Sequence, residues 1–243
     1  MLCFFVFLLQ NCNYNKPPQQ SSKVNKIPKT YAKQIVMPKT DWDRKIKAAG
    51  LLKIKDLDSN IIVDLKYSTP DNFMQKDVYG DFSDAYLRPE VANKLILAQK
   101  NIKNQNQNHT LIVYDAFRPR SVQLTMWEIV KNTPQANYVA NPYKGKGSLH
   151  NLGVAVDLSI WDTKTAQVLD MGTPYDFLGA LAEPQLEQFY LKNGKLSAAQ
   201  IANRHILKKA MTAAGFSPLD REWWHFDGFE RSIAEKKYDF LEL

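Results

Sequence analysis

The stretch Ser148-Leu149-His150-Asn151-Leu152-Gly153-Val154-Ala155-Val156-Asp157-Leu158-Ser159-Ile160 (residues 148–160) decides how this chain is read. From Gly153 it has the β-branched, apolar character of a strand over residues 153–162. Side chains alternate along a strand, so Val154, Val156, Leu158 and Ile160 share one face and Ala155, Asp157 and Ser159 the other. An aspartate in the middle of an apolar strand is costly to bury unless something neutralises it. A Zn²⁺ ion would do so, and it accepts both imidazole nitrogen and carboxylate oxygen. His150 stands in the glycine-flanked loop that enters the strand, and Gly153 lets the chain turn back so that His150 approaches Asp157.

Outward from this strand the pattern is mixed. Strands are expected at 60–68 (NIIVDLKYS, with Ile62, Asp64 and Lys66 on one face), 109–117 (HTLIVYDAF) and 222–229 (EWWHFDGF). Helices are expected at 41–50, at 88–105 with Pro89 in the first turn, at 121–132, and at 197–216, where Ser197 is the cap and Gly215 lies just past the end. Helices and strands do not alternate strictly. The expectation is therefore a single α+β domain, with a mostly antiparallel central sheet flanked by helices and a zinc site at the sheet.

Two further segments add chemistry. In Glu222-Trp223-Trp224-His225-Phe226, Glu222 and His225 are three apart, which a regular strand would put on opposite faces; the strand must bend or twist at the Trp pair to aim both at one site. A catalytic zinc takes three protein ligands and keeps one open position, a count that His150, Asp157 and His225 meet. Glu222 would then stay off the metal and take a proton from water. In Tyr114-Asp115-Ala116-Phe117-Arg118-Pro119, Arg118 follows a buried strand beside a proline that restricts its backbone, where it could donate to a developing oxyanion. Asp115 reads as structural, orienting Arg118 or a ligand histidine. His109 and His205 read as surface residues.

These segments resemble those of the D-alanyl-D-alanine dipeptidases, the vancomycin-resistance type and its relatives. Residues 148–157 fit the S-x-H-x-x-G-x-A-x-D pattern, 222–225 the Glu-Trp-Trp-His signature, and 114–119 the aromatic-Asp-x-aromatic-Arg-Pro segment, all in family order. Residues 65–73 and 169–177 are similar to further family segments. The resemblance implies one Zn²⁺ per chain on His150, Asp157 and His225, with Glu222 as base and Arg118 as transition-state stabiliser. It also implies Tyr67 and Asp176 near the substrate amine and Ser148 among the substrate-binding residues. The implied substrate is the free D-Ala-D-Ala dipeptide. A zinc carboxypeptidase or endopeptidase on longer wall peptides is the alternative, and a catalytically dead binding module would not need Glu222. Residues 178–196 depart from the acidic, His-rich segment of the best-known members, which bears on the pocket wall.

Composition limits the other classes. The 243 residues are 44% hydrophobic and 23% charged with a formal charge of +7, ordinary values for one globular domain. Six lysines and no acid fall within residues 16–39, which leaves the rest at +1, so the charge is no argument for a nucleic-acid partner. Both cysteines, Cys3 and Cys12, lie at the N-terminus, so any metal in the body must use His, Asp or Glu. The apolar run Leu2–Leu9, followed by Cys12, resembles a bacterial lipoprotein signal, although no Lys or Arg precedes it and Gln10-Asn11 are bulkier than usual. The expectation is a signal peptide over 1–12 ending in a lipidated cysteine, a flexible linker over 13–40 and the enzyme domain over 41–243. The protein would then sit in the bacterial envelope, in the periplasm and attached to the membrane through Cys12, or in the cytoplasm if there is no signal.

Overall fold

The computed structural model describes residues 39–241, so the expected signal peptide, lipidated cysteine and most of the linker lie outside the described residues. In chain order the elements are α1 (Lys39–Ala48), β1 (Leu52–Lys53), α2 (Ile54–Leu57), β2 (Ile62–Val63), β3 (Tyr86–Leu87), α3 (Pro89–Gln105), β4 (His109–Asp115) and α4 (Arg120–Val130). They continue with β5 (Ala155–Asp162), β6 (Gln167–Val168), α5 (Glu187–Lys192), α6 (Ala198–Ala213), β7 (Ser217–Leu219), β8 (Glu222–Asp227) and α7 (Arg231–Lys237). Short 3₁₀ turns join several of them.

The main sheet runs β2-β4-β5-β8-β7, with β6 pairing to the far end of β5. Only β2–β4 is parallel; the other pairings are antiparallel, so the α+β expectation holds. Every residue of β4, and β5 from Ala155 to Ile160, is buried. The two central strands are thus covered on both faces, and the Ala155–Asp157–Ser159 face does not look into solvent.

The long helices follow their apolar spacing. In α3, Pro89 opens the first turn and Val91, Leu95, Ala98 and Ile102 are all buried. In α6, Ser197 accepts from the Gln200 N–H and Gln200 reaches back to the Ser197 N–H, a reciprocal cap that fixes where the helix begins.

Two expectations fail. Residues 60–68 are not one strand: Ile62–Val63 pair with β4, and Lys66–Ser68 form a 3₁₀ turn. The Tyr67 carbonyl there accepts from the Val78 and Tyr79 N–H groups, and that tertiary grip turns Tyr67 inward. His109 is buried because it opens β4 opposite Asp162, with its Nε2 3.1 Å from Asn106 Nδ2. His205 is exposed as expected and pairs with Glu187, whereas its neighbour Arg204 is buried with Nε on the Met171 carbonyl.

Candidate active site

Three acidic or imidazole side chains line up across the sheet. Asp115 of β4 pairs with Asp157 of β5, and Asp157 pairs with His225 of β8. Directly opposed residues point to the same face, so the register alone puts His225 beside Asp157. The spacing of Glu222 and His225 is resolved by an irregularity in β8. Pro218 pairs with Phe226, yet the next residue, Leu219, pairs with Glu222. The extra residues bend β8 at the Trp pair, and both Glu222 and His225 line one cleft.

His150 comes from the 3₁₀ turn Leu149–Leu152, which Ser148 caps by accepting from the His150 N–H. Gly153 ends that turn with φ +71°, and a Cβ there would sit 2.9 Å from Leu51 Cδ2. Only glycine meets both conditions without strain, so the turn that aims His150 at the strand depends on it.

His150 Nδ1 lies 2.7 Å from the Ala116 carbonyl, which can only accept, so its proton sits on Nδ1 and leaves Nε2 bare. His225 Nε2 lies 2.8 Å from Asp227 Oδ1, which leaves Nδ1 facing inward. His150 Nε2, His225 Nδ1 and Asp157 Oδ1 then form a triangle with sides of 3.2, 3.2 and 2.9 Å. With the ring protons on the outer nitrogens these three atoms are acceptors, a group that could hold a cation. Tetrahedral zinc would space such ligands about 3.3 Å apart, given bonds of about 2.0–2.1 Å. The donor set fits a metal ion held on one face. Without one a proton takes its place: burial opposes charge on His225, but Asp227 and Asp157 outweigh it and raise its pKa well above the usual imidazole value.

Arg118 is buried beside this triangle. Its Nε and Nη2 lie 2.8 and 2.7 Å from Asp115 Oδ2, and Nη1 donates to Gln123 Oε1 at 2.7 Å. Asp115 in turn accepts from the Tyr79 hydroxyl and the Ala116 N–H. Nη2 also lies 3.6 Å from Asp157 Oδ2. Asp115 thus orients the arginine, while His150 is oriented by the Ala116 carbonyl. Burial pushes the Glu222 carboxyl up to about 7, with His225 and Arg118 pulling down and Asp157 adding to the rise. Tyr67 donates to Asp176 Oδ1 at 2.9 Å; the other carboxylate oxygen, Oδ2, is buried with no partner among the described residues. Burial raises the Asp176 pKa well above the carboxylate range.

Tyr67, Arg118, Ser148, His150, Asp157, Asp176, Glu222 and His225 all line a single cleft. Residues 47–242 match the peptidase family described as D-ala-D-ala dipeptidase. The chain belongs to that family. Among relatives of this D-Ala-D-Ala dipeptidase family, the D-alanyl-D-alanine dipeptidase of Escherichia coli (strain K12) is 29% identical over 165 residues, 68% of this chain and 77% of that protein. Those of Enterococcus faecalis and Streptomyces coelicolor are 24% and 26% identical over 204 and 208 residues. They align with 79% and 77% of this chain, and the alignments span 97% and 95% of those proteins. The chain is a peptidase of this family with a candidate His/Asp/His metal site.

Sequence reasoning missed several partners of these dipeptidase-family residues. Asp227 is two residues beyond His225, the spacing that shares a strand face, so period 2 was an available signal. Gln123 sits five residues past Arg118, just inside α4, and Tyr79 reaches Asp115 from a loop with no regular pattern. Tyr175 is the largest omission: its hydroxyl is 3.0 Å from Asp157 Oδ2 and 3.2 Å from the Tyr67 hydroxyl.

Proposed function

We propose that this chain hydrolyses the free D-Ala-D-Ala dipeptide, with one Zn²⁺ held by His150 Nε2, Asp157 Oδ1 and His225 Nδ1, in cell-wall peptide metabolism. When bound, the ion supplies Lewis-acid polarisation of the scissile carbonyl and a water nucleophile at neutral pH. Glu222, which lines the cleft beside the three candidate ligands, would accept a proton from water and return one to the leaving amine. Arg118 has donors left on its Nη atoms to meet the carbonyl oxygen as it gains charge. Asp115 and Gln123 hold its guanidinium plane still, so no reorganisation is needed during the reaction. Tyr67 and Asp176 receive the substrate ammonium, and Ser148 contributes to substrate binding at the edge nearest His150.

One observation carries the dipeptide reading: Asp176 Oδ2 is buried and unpartnered in the cleft that also holds the triangle of ligand atoms. Burial disfavours the charged form of Asp176 although Tyr67 donates to Oδ1, and an ammonium would supply both the charge and the hydrogens that Oδ2 lacks. An acylated amine would leave Asp176 unpaired, a loss of several kcal/mol by analogy with broken buried pairs, or about a hundredfold or more in rate. The test compares kcat/KM for D-Ala-D-Ala, its N-acetyl form and a wall pentapeptide. The expected order puts the free dipeptide at least about a hundredfold ahead. Equal rates on all three would move the enzyme to the carboxypeptidase or endopeptidase reading.

Attachment to the bacterial envelope through a lipidated Cys12 is a further proposal that rests on sequence alone. Among the described residues no helix is long and apolar enough to cross a membrane. Cys12→Ser is expected to move the protein out of the membrane fraction; a wild-type protein already found in the cytosol would end the proposal.

A further inference from the structure

Tyr175 has no part in the proposed reaction, yet its hydroxyl touches both ends of the site. It donates to Asp157 Oδ2 at 3.0 Å and lies 3.2 Å from the hydroxyl of Tyr67, which itself donates to Asp176. Asp157 offers its other oxygen, Oδ1, to the two histidines, so the carboxylate is used from both sides. Arg118 Nη2 lies 3.6 Å from Oδ2, beyond a hydrogen bond. The Tyr175 ring is itself gripped, with centroids 5.0 Å from Tyr114 and 5.5 Å from Trp224.

A carboxylate free to rotate can present either oxygen, or both, to an ion. One whose outer oxygen accepts a hydrogen bond from a fixed phenol presents a single oxygen in a single direction. We infer that Tyr175 is a positioning residue that holds Asp157 as a one-oxygen ligand, so that its hydroxyl sets the affinity of the site for its metal. The inference rests on the proposed metal-dependent reading and concerns a group that does not itself touch the ion. Hydrogen-bond partners that orient metal ligands typically contribute about 10- to 100-fold in metal affinity.

Tyr175→Phe removes one oxygen atom and keeps the ring and its packing. The experiment is a zinc titration of the full chain against a chromophoric chelator, for wild type, Tyr175→Phe and Tyr67→Phe. Tyr67→Phe is the control, because Tyr67 touches the Tyr175 hydroxyl and Asp176 but none of the three ligands. Tyr175→Phe is expected to weaken zinc binding by about 10- to 100-fold. Tyr67→Phe is expected to bind zinc as wild type does and to lose activity mainly through KM. Wild-type zinc affinity in Tyr175→Phe would overturn the inference. So would equal weakening in both variants, which would signal general loosening of the site. If wild type binds zinc and cleaves D-Ala-D-Ala in either case, the proposed function stands by itself. A wild type that binds no zinc overturns both.

Discussion

Glu222 stands in surroundings that change its chemistry. It is buried at the bend of β8, and burial raises its carboxyl to about 7 in the ion-free protein. The folded state therefore holds a proton on Glu222 at a pH where the unfolded chain, near 4.5, has released it. Protons bound preferentially by the folded state make stability fall as pH rises, here from about 4.5 to about 7 and no further. In chelator-treated protein, the stability difference between wild type and Glu222→Gln is expected to decline by about 3 kcal/mol across that window, read from denaturant midpoints. A flat difference would mean that Glu222 titrates as an ordinary carboxylate. With the metal present, the same variant is expected to keep zinc and lose about 10²- to 10⁴-fold in kcat. Loss of zinc instead would make Glu222 a ligand. In wild type kcat/KM is expected to rise with pH along a limb below 7, because a nearby dication favours the charged carboxylate. The identities of Glu222, His150, Asp157 and His225 were legible from their motifs. The proton positions on the two histidines were not, since they depend on Ala116 and Asp227 standing where the fold puts them.

Among the elements, the turn Leu149–Leu152 is the most exposed to a single change. It is capped by Ser148 at one end and ended by left-handed Gly153 at the other, and it delivers His150. Gly153→Ala adds a Cβ that must occupy φ +71° and come within 2.9 Å of Leu51. The expected cost is about 1–2 kcal/mol from the backbone alone. Zinc affinity is expected to fall with it, as His150 is displaced from the triangle. A variant with wild-type melting temperature and wild-type zinc affinity would show that the turn tolerates a side chain. The glycine was readable as a turning point because only a residue without Cβ suits that backbone. The two-residue strands β1, β3 and β6 were not readable, since two residues carry no periodicity and their pairing is decided by partners far along the chain, while β2 is all that forms of a longer expected strand. The strand expected over 60–68 failed for the same reason: its β-branched residues favour extension, but the contacts of Tyr67 with Val78 and Tyr79 close a turn there.

For the molecule as a whole, the described residues 39–241 fall in one compact unit and the family match covers 47–242. The site draws on the 3₁₀ turn at Tyr67, β4, α4, β5, β8 and the 170s loop, all inside that unit. Cys12→Ser is accordingly expected to leave kcat/KM unchanged even as it alters partition to membranes; a large loss of activity would tie the N-terminal segment to catalysis. The sequence by itself determined the α+β class, the long helices, the two central strands and the membership of the eight cleft residues. The class and the elements rest on local periodicity, and His150, Asp157, His225, Glu222 and Arg118 on residue types whose chemistry allows few alternatives; Tyr67, Asp176 and Ser148 came only from the resemblance to the family. The bend of β8 and the hold of Asp115 on Arg118 were expected from the sequence; only the tertiary structure decided the register shift between Pro218 and Leu219 that makes the bend, and the part of Gln123 in holding Arg118. The same holds for Tyr175, which ties Asp157 to the Tyr67–Asp176 pair. Each of these is a contact that crosses between elements, from the Arg118–Gln123 pair five residues apart to the Tyr175–Tyr67 pair 108 apart. Its geometry follows from strand register and packing, and neither is encoded in the spacing of neighbouring residues.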